Sequence, residues 1–156
     1  MRFDKFTIKS QEALSEAQSI ATAKSHGEIL PSHLLLALLA QPEGSTRPVL
    51  QKIGILIEAL RQELEETLEQ LPRVSGGGQP QLSRSTSRAL EGAFSEAEAL
   101  RDDYVSTEHL LLALCVETGD PAGRALAKAG VTREALLQAL ATVRGSARVT
   151  DADPES

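Results

Sequence analysis

The chain contains the stretch His33-Leu34-Leu35-Leu36-Ala37-Leu38, which returns 76 positions later as His109-Leu110-Leu111-Leu112-Ala113-Leu114. The same offset pairs residues on both sides of this motif: Ala13 with Ala89, Ala17 with Ala93, Leu50 with Leu126, Gly54 with Gly130, Leu60 with Leu136 and Leu64 with Leu140. A constant offset over this length indicates an internal duplication, in which each copy is one structural unit. We therefore interpret the chain as two related repeats.

The distribution of proline and glycine sets the boundaries of these repeats. Pro72, Pro80 and the run Gly76-Gly77-Gly78 lie between the copies, and this composition is typical of a connector that cannot continue a helix. The residues after Gly145 are small, polar and acidic, which is typical of a flexible tail. We predict the first repeat over 1–68, the connector over 69–81, the second repeat over 82–145 and the tail over 146–156.

The composition and the positions of capping, proline and glycine residues both predict an all-α fold. Hydrophobic residues make up 41% of the chain but aromatic residues only 3%, which favours closely packed Ala- and Leu-rich helices over sheets. In the first repeat Thr7 is predicted to cap the first helix, Pro31 and Pro48 to open the second and third, Gly54 to end the third, and 57–71 to form the fourth. In the second repeat Ser106 precedes the second helix, Pro121 opens the third, Gly130 ends it and Thr132 caps the fourth. We expect eight helices in two pseudo-twofold-related units, and the sequence leaves open whether they share one core.

Charge and hydropathy argue against several classes of partner. The net charge of −6 disfavours nucleic acid, because affinity for a phosphate backbone comes from clustered Lys and Arg. The apolar run from Leu34 to Ala40 is shorter than the ~20 residues that cross a bilayer, and the charged N-terminus does not resemble an export signal. A single cysteine, Cys115, excludes an internal disulfide and is typical of a reducing compartment, so we expect a cytoplasmic protein. From charge and hydropathy we expect that it binds neither nucleic acid nor membrane.

The sequence contains no recognisable catalytic motif. The Gly-rich connector lacks the Lys of a phosphate-binding loop, and neither GxSxG nor HExxH occurs, so we predict no catalytic residue, no metal site and no cofactor. His33 and His109 have no second His or Cys three or four positions away, which favours a structural role for both rings. Cys115 is predicted to be a small core residue.

Acidic residues cluster where the central helix of the second repeat begins. Asp102, Asp103 and Glu108 surround Tyr104 and Val105. One interpretation is that these acids complement the helix dipole, which is worth about 0.3 to 1 kcal/mol for each charge. The other is that they form the polar rim of an apolar groove that receives unfolded or basic peptide segments.

Three segments together resemble the Clp repeat N-terminal domain of the ClpB disaggregase family: Phe3-Asp4-Lys5-Phe6-Thr7, Leu71-Pro72-Arg73-Val74-Ser75-Gly76-Gly77-Gly78 and Asp102-Asp103-Tyr104-Val105-Ser106-Thr107-Glu108-His109. The resemblance covers about 1 to 145. It implies a monomeric, non-enzymatic domain that binds unfolded or aggregated polypeptide. The parent chain would be a hexameric cytoplasmic chaperone of the stress response, with AAA+ modules that use ATP and Mg and cooperate with the DnaK system in protein refolding.

The resemblance also implies a binding site at a threonine near the start of the chain and at two acids around the second central helix. By motif these are Thr7, Asp102 and Glu108, with Asp103 as a competing assignment and Tyr104 beside it. The related ClpC family carries an acid before the His of each repeat, whereas this chain has Ser32 in the first repeat. Two alternatives stay open: a docking domain of a protease-linked ATPase of the ClpA or ClpC kind, and a stand-alone Clp-repeat regulatory protein.

Overall fold

A computed structural model describes residues 2–145 and 147–154. Within them a 3₁₀ turn, Phe3–Lys5, precedes eight α-helices: α1 Ile8–Ala23, α2 Pro31–Ala40, α3 Thr46–Ile53, α4 Ile57–Glu69, α5 Arg84–Ala99, α6 Thr107–Val116, α7 Pro121–Lys128 and α8 Arg133–Arg144. The prediction of an all-α fold with eight helices is confirmed. Among these described helices, none combines the length and apolar character needed to span a bilayer.

The helix boundaries follow from local capping chemistry. The hydroxyl of Thr7 accepts a hydrogen bond from the Ser10 amide at 3.2 Å, and Thr132 caps α8 in the same way. Gly54 closes α3 with a left-handed φ of 98°, a conformation that a side chain would disfavour. The predicted start of α3 at Pro48 is wrong, because the helix begins at Thr46. Proline is tolerated there because first-turn amides have no partner within the helix.

The two repeats share one hydrophobic core. Both central helices are buried along most of their length, α2 from Pro31 to Leu39 and α6 from Thr107 to Cys115. A single contiguous cluster of buried side chains contains residues of both repeats. The outer helices also pack across the repeats, α3 against α8 and α4 against α7. The question that the sequence left open is therefore answered in favour of one core.

Two short chain crossings join the repeats, and the sequence analysis predicted neither. Strand β1, Glu28–Ile29, pairs in parallel with β2, Gln81–Leu82. On the opposite side Phe6 forms an isolated parallel bridge with Val105. The 76-residue offset relates Phe6 to Leu82 and Val105 to Ile29, so the two crossings are pseudo-twofold equivalents.

A buried hydroxyl closes each crossing at equivalent positions. The Ser10 hydroxyl donates to the carbonyl of Val105 at 2.9 Å, and the Thr86 hydroxyl donates to the carbonyl of Ile29 at 2.8 Å. Each first helix is therefore tied to the loop that precedes the other repeat's central helix.

Candidate functional site

The crossing of Phe6 and Val105 brings the predicted site residues into one region. The Thr7 amide donates to the carbonyl of Val105 at 3.0 Å, and the Val105 amide donates to the carbonyl of Lys5 at 2.8 Å. Val105 lies three positions from both Asp102 and Glu108. The start of α1 therefore packs against the loop between α5 and α6, although the two segments are far apart in the sequence.

The Thr7 side chain is buried and satisfied within the fold. Thr7 is 0% exposed. Its hydroxyl accepts a hydrogen bond from the Ser10 amide and donates one to the Ser10 hydroxyl at 3.1 Å. The Ser10 hydroxyl in turn donates to Val105. In this conformation Thr7 caps α1 and positions the crossing, and its own hydroxyl is not open to solvent.

Asp102 is the centre of a buried polar network. Its side chain is 0% exposed and accepts hydrogen bonds from the His109 ring at 2.7 Å, from the Val149 amide at 2.8 Å and from the Arg144 guanidinium. Burial alone would raise the pKa of the Asp102 carboxyl. The bonds from Arg144, Val149 and His109 favour the anion, so the pKa is lowered overall. Asp102 is therefore a fixed negative charge at neutral pH.

The protonation of His109 follows from its two partners. Its Nδ1 accepts from the Ser106 amide at 2.8 Å, so the proton of the neutral ring must be on Nε2, which donates to Asp102. Burial lowers the pKa of His109 in spite of the nearby carboxylates. The ring stays neutral and orients Asp102, which is the structural role that the sequence analysis predicted.

Glu108 belongs to the same network. Its carboxylate accepts from the Ser106 hydroxyl at 2.6 Å and from Arg144 at 3.2 Å, and its side chain is 10% exposed. Arg144 therefore bridges both carboxylates. The side chains of Asp102, Ser106, Glu108, His109 and Arg144 are called the Arg144 network below. Ligand atoms of Asp102, Glu108 and His109 lie within 4.8 Å of one another, a spacing that would suit a metal ion, but the guanidinium already supplies positive charge to both acids.

Asp103 and Tyr104 lie on the outer side of the same loop. The Asp103 side chain is exposed, and its amide donates to the carbonyl of Val149 at 2.8 Å. Tyr104 is half-buried, with the Lys5 ammonium 5.2 Å from its ring centroid. Of the two neighbouring aspartates, Asp102 points into the Arg144 network and Asp103 is the accessible acid.

The segment after Gly145 also contributes to this region, which the sequence analysis did not anticipate. Its described residues, 147–154, were predicted as part of a flexible tail, but Val149 is only 5% exposed. Besides the two bonds of Val149, the carbonyl of Ala152 accepts from the Ile8 amide at 2.7 Å. The available signal was Val149 itself, the one branched aliphatic residue after Gly145.

The equivalent position of the first repeat carries different chemistry. His33 Nδ1 accepts from the Leu30 amide at 2.8 Å, so its Nε2 proton points at His26 Nδ1, 2.9 Å away. Burial lowers the pKa of His33 to about 4 and also lowers the pKa of His26. The predicted structural role of His33 agrees with this geometry, and no carboxylate takes part in the bond between the two rings.

An open apolar cleft of about 440 Å³ runs beside α1. Its apolar lining includes Phe3, Leu14, Ile29 and Leu82, and the amide side chains of Gln11 and Gln18 also line it. Phe3 is 45% exposed, and Ile8 at the start of α1 is 44% exposed. Apolar surface is thus accessible around the Phe6–Val105 crossing.

Cys115 is a core residue, as predicted. It is 5% exposed, and its thiol donates to the carbonyl of Leu112 at 3.1 Å. Burial raises the pKa of the thiol to about 11. The residue is therefore neither a thiolate at neutral pH nor positioned on the surface described above.

Comparison of the amino-acid sequence with known proteins identifies relatives of this chain. The chain is 44% identical over 155 residues to the chaperone protein ClpB of Rhodopirellula baltica and 43% identical over 150 residues to that of Mycobacterium leprae. These alignments cover 99% and 96% of this chain but only 18% of each relative. The chain thus spans about a fifth of the length of these relatives.

The fold is similar to that of a solved domain. The crystal structure of the Hsp104 N-terminal domain from Candida albicans superposes with a TM-score of 0.84 at 20% identity, covering 97% of this chain and 99% of that one. The family model of the Clp repeat (R) N-terminal domain matches residues 5–129, which cover the first repeat from residue 5, the connector and the second repeat through α7. The chain therefore belongs to the Clp repeat N-terminal domain family.

Proposed function

We propose that this domain binds unfolded or aggregated polypeptide as the substrate-engaging part of a ClpB-type disaggregase. The observation that carries the proposal is the surface around the Phe6–Val105 crossing. The exposed apolar side chains of Phe3 and Ile8 lie on it together with half-buried Tyr104 and the exposed acid Asp103. These four residues are called the client surface below. Accessible apolar groups beside a charge suit segments that a folded protein would hide.

The part of the cleft beside α1 that Phe3 lines adjoins this surface. There an apolar side chain such as Leu14 would receive an apolar group of a client. The side-chain amides of Gln11 and Gln18 would bond to its backbone, which every sequence offers. A cleft of this kind accepts many sequences weakly, which suits a domain that engages diverse clients.

The roles of the proposed site residues differ. Asp103 and Tyr104 are placed to touch a client, whereas Thr7 and Glu108 act from behind by fixing the crossing and Arg144. Asp102 is buried, but one of its oxygens accepts a backbone amide from the segment above it. A client backbone can use the same oxygen, so Asp102 remains part of the proposed site.

The rest of the proposal concerns the longer chain. We infer that the domain is monomeric and catalytically inactive, and that it is tethered to AAA+ modules of the same chain that bind ATP and Mg. Those modules would form a cytoplasmic hexamer that threads clients and works with the DnaK system. Support comes from the relatives named as ClpB, which extend well beyond the region matched here.

The alternative of a protease-linked ClpC-like docking domain receives less support. Paired sites of that kind need an acid before the His of each repeat, but Ser32 occupies this position in the first repeat and is 2% exposed. His26 likewise replaces Asp102 as the partner of the ring. The first repeat therefore offers no acidic site equivalent to the second.

A binding titration tests the proposed function. A fluorescently labelled, permanently unfolded protein such as reduced α-lactalbumin is titrated with the domain while anisotropy is recorded. We expect a Kd in the micromolar range or weaker, because the surface is smaller than the ~1,200 to 2,000 Å² of stable interfaces.

Two matched variants locate the binding. Ile8→Ser removes a helical aliphatic side chain that is 44% exposed on the client surface, and Val143→Ser removes one that is 48% exposed on α8. We expect Ile8→Ser to weaken binding at least threefold and Val143→Ser to leave it unchanged. No binding by the wild-type domain, or equal loss in both variants, would refute the proposal.

A further inference from the structure

The segment after Gly145 supports one further inference, which rests on the function proposed above. We propose that residues 147–152 are an intramolecular ligand of the client surface, and that a bound client replaces them. The segment lies on the residues to which client binding is assigned. Its amide and carbonyl groups bond to Asp102, Asp103 and the first residue of α1.

The segment contacts the domain mainly through its backbone. The Val149 amide donates to Asp102 Oδ1 at 2.8 Å, and its carbonyl accepts from the Asp103 amide at 2.8 Å. Three residues later the Ala152 carbonyl accepts from the Ile8 amide at 2.7 Å. Two of the three bonds use only backbone groups of the segment and of the domain, and the third uses the segment's backbone. A chain of different sequence could therefore form them if it lacks proline at the first position.

One side chain anchors the segment. Val149 is 5% exposed, whereas its neighbours Arg148, Thr150 and Asp151 are exposed. Val149 is not among the residues of the contiguous core that the two repeats share. Its burial therefore comes from docking onto the domain's surface, and its loss would leave the core intact.

The geometry defines the class of client segment that the site accepts. It is a stretch with a small branched aliphatic residue whose amide is free to donate to Asp102. Arg144 and His109 hold the Asp102 carboxylate in place for this bond. The buried acid thus recognises a peptide backbone, whereas the anchoring position selects an apolar side chain.

Occupancy by the segment lowers the apparent affinity for clients. A tethered ligand acts at an effective concentration in the millimolar range, and the measured Kd rises by the reciprocal of the unoccupied fraction. Weakening the segment should therefore strengthen client binding. If the segment instead formed part of the lining of the client site, weakening it should weaken client binding.

Two matched substitutions in the 156-residue domain test this sign. Val149→Gly and Thr150→Gly each remove a β-branched side chain and add similar backbone freedom, but only Val149 is buried. We expect Val149→Gly to lower the client Kd several-fold, up to about tenfold, in keeping with the burial of one valine. Thr150→Gly should change it less than twofold. Amide hydrogen exchange at Asp103 should speed up in Val149→Gly.

A second experiment tests the proposed competition with a peptide added in trans. The peptide Ala-Arg-Val-Thr-Asp-Ala-Asp-Pro, which copies residues 147–154, should displace labelled client from the Val149→Gly domain. The same peptide with proline in place of valine should not, because proline has no amide to donate to Asp102.

The outcomes separate this inference from the proposed function. If wild type and both variants bind client equally, or if Val149→Gly binds less tightly, the segment is not a competitor and the inference is overturned while client binding stands. If none of the three proteins binds client, the proposed function fails and the inference fails with it.

Discussion

The two repeats are alike in backbone and unlike in chemistry at the start of their central helices. In both, the ring Nδ1 of the histidine accepts from the amide three residues earlier at 2.8 Å. In both, a residue with φ of 59°, Ser25 or Arg101, precedes this turn. The second repeat surrounds its histidine with Asp102, Glu108 and Arg144, whereas the first has His26, Ser32 and Leu68 at the same offsets. The duplication thus preserves the backbone frame, and the ring bonds to a buried carboxylate in the second repeat where it bonds to His26 in the first.

The chain also covers the two equivalent positions differently. In the first repeat the connector passes over the loop, where the Val74 amide donates to the Ser25 carbonyl at 2.8 Å before the chain enters β2. In the second repeat the covering segment is the one that contains Val149. The connector joins two folded repeats, whereas residues 147–152 follow α8 and bond to the loop of the second repeat through Val149. We therefore expect a client to compete with this segment at the second repeat.

Removal of the shared cation should have the largest effect on stability. Arg144→Met leaves Asp102 and Glu108 without their counter-charge, and we expect it to lower the free energy of unfolding by about 3 kcal/mol. Arg133→Met on the same helix breaks an ion pair with Glu96 in which the arginine is 43% exposed, and it should cost about 1 kcal/mol or less. Urea unfolding measures both. Equal costs would mean that the Arg144 network behaves like surface charge.

Replacing Glu108 by the residue of the first repeat should have the next largest effect. Glu108→Ser removes acceptors for Ser106 and Arg144, at a cost of about 2 kcal/mol. Glu134→Ser is the matched control, because Glu134 is also the second residue of its helix but is exposed. A helix-dipole role alone would give both variants the same loss, of about 0.3 to 1 kcal/mol.

Acid should destabilise the domain through its buried histidines. The pKa of His33 is lowered from 6.5 to about 4, so the unfolded chain binds more protons between these values and stability falls as the pH drops through this window. His33 alone should cost about 1.4 kcal/mol at pH 5.5. The lowered pKa of Asp102 acts separately, because its stabilisation is lost only below about the ordinary value of 3.8. Urea unfolding at pH 7.5 and 5.5 measures the loss, and equal stability at both would contradict it.

The smallest effect should be common to both repeats. Thr7→Ala and Ser83→Ala remove equivalent N-caps from α1 and α5, and each should cost about 1 kcal/mol. Thermal melts measure the loss, and client titration accompanies them. Thr7 lies at the Phe6–Val105 crossing beside the client surface and Ser83 lies at the other crossing, so only Thr7→Ala should also weaken client binding. Equal client Kd values for the two variants would mean that Thr7 does not support the client surface.

The fold was largely predictable because its signals are local. Caps such as Thr7 and the helix-ending Gly54 are visible within a few residues, and the 76-residue offset appears when the chain is compared with itself. Pro48 misled the start of α3 because proline is compatible with several positions in a first turn. The crossings of two-residue strands were not predictable, since so short a pairing leaves no periodic pattern.

The acidic cluster was visible in the sequence, but its geometry was not predictable. The acids around Val105 stood out in the sequence, yet their burial depends on Arg144 in α8. Arg144 lies 36 residues after Glu108 and 42 residues after Asp102. Composition predicted a flexible tail because Val149 is the one large aliphatic residue among 147–154, and composition cannot reveal that Asp102 offers an acceptor to Val149. Both features arise only when distant segments meet.

The central claim is that clients bind at the second-repeat side of the pseudo-twofold axis. The most direct measurement is a titration of the isotope-labelled domain with reduced α-lactalbumin, followed by amide NMR. We expect the amides of Ile8, Asp103 and Val149 to shift, because a client replaces the segment, which contains Val149 and bonds to Ile8 and Asp103. The counterparts of the first two in the other repeat, Arg84 and Gly27, should not move. Shifts of equal size at Arg84 and Gly27, or shifts confined to them, would contradict the account.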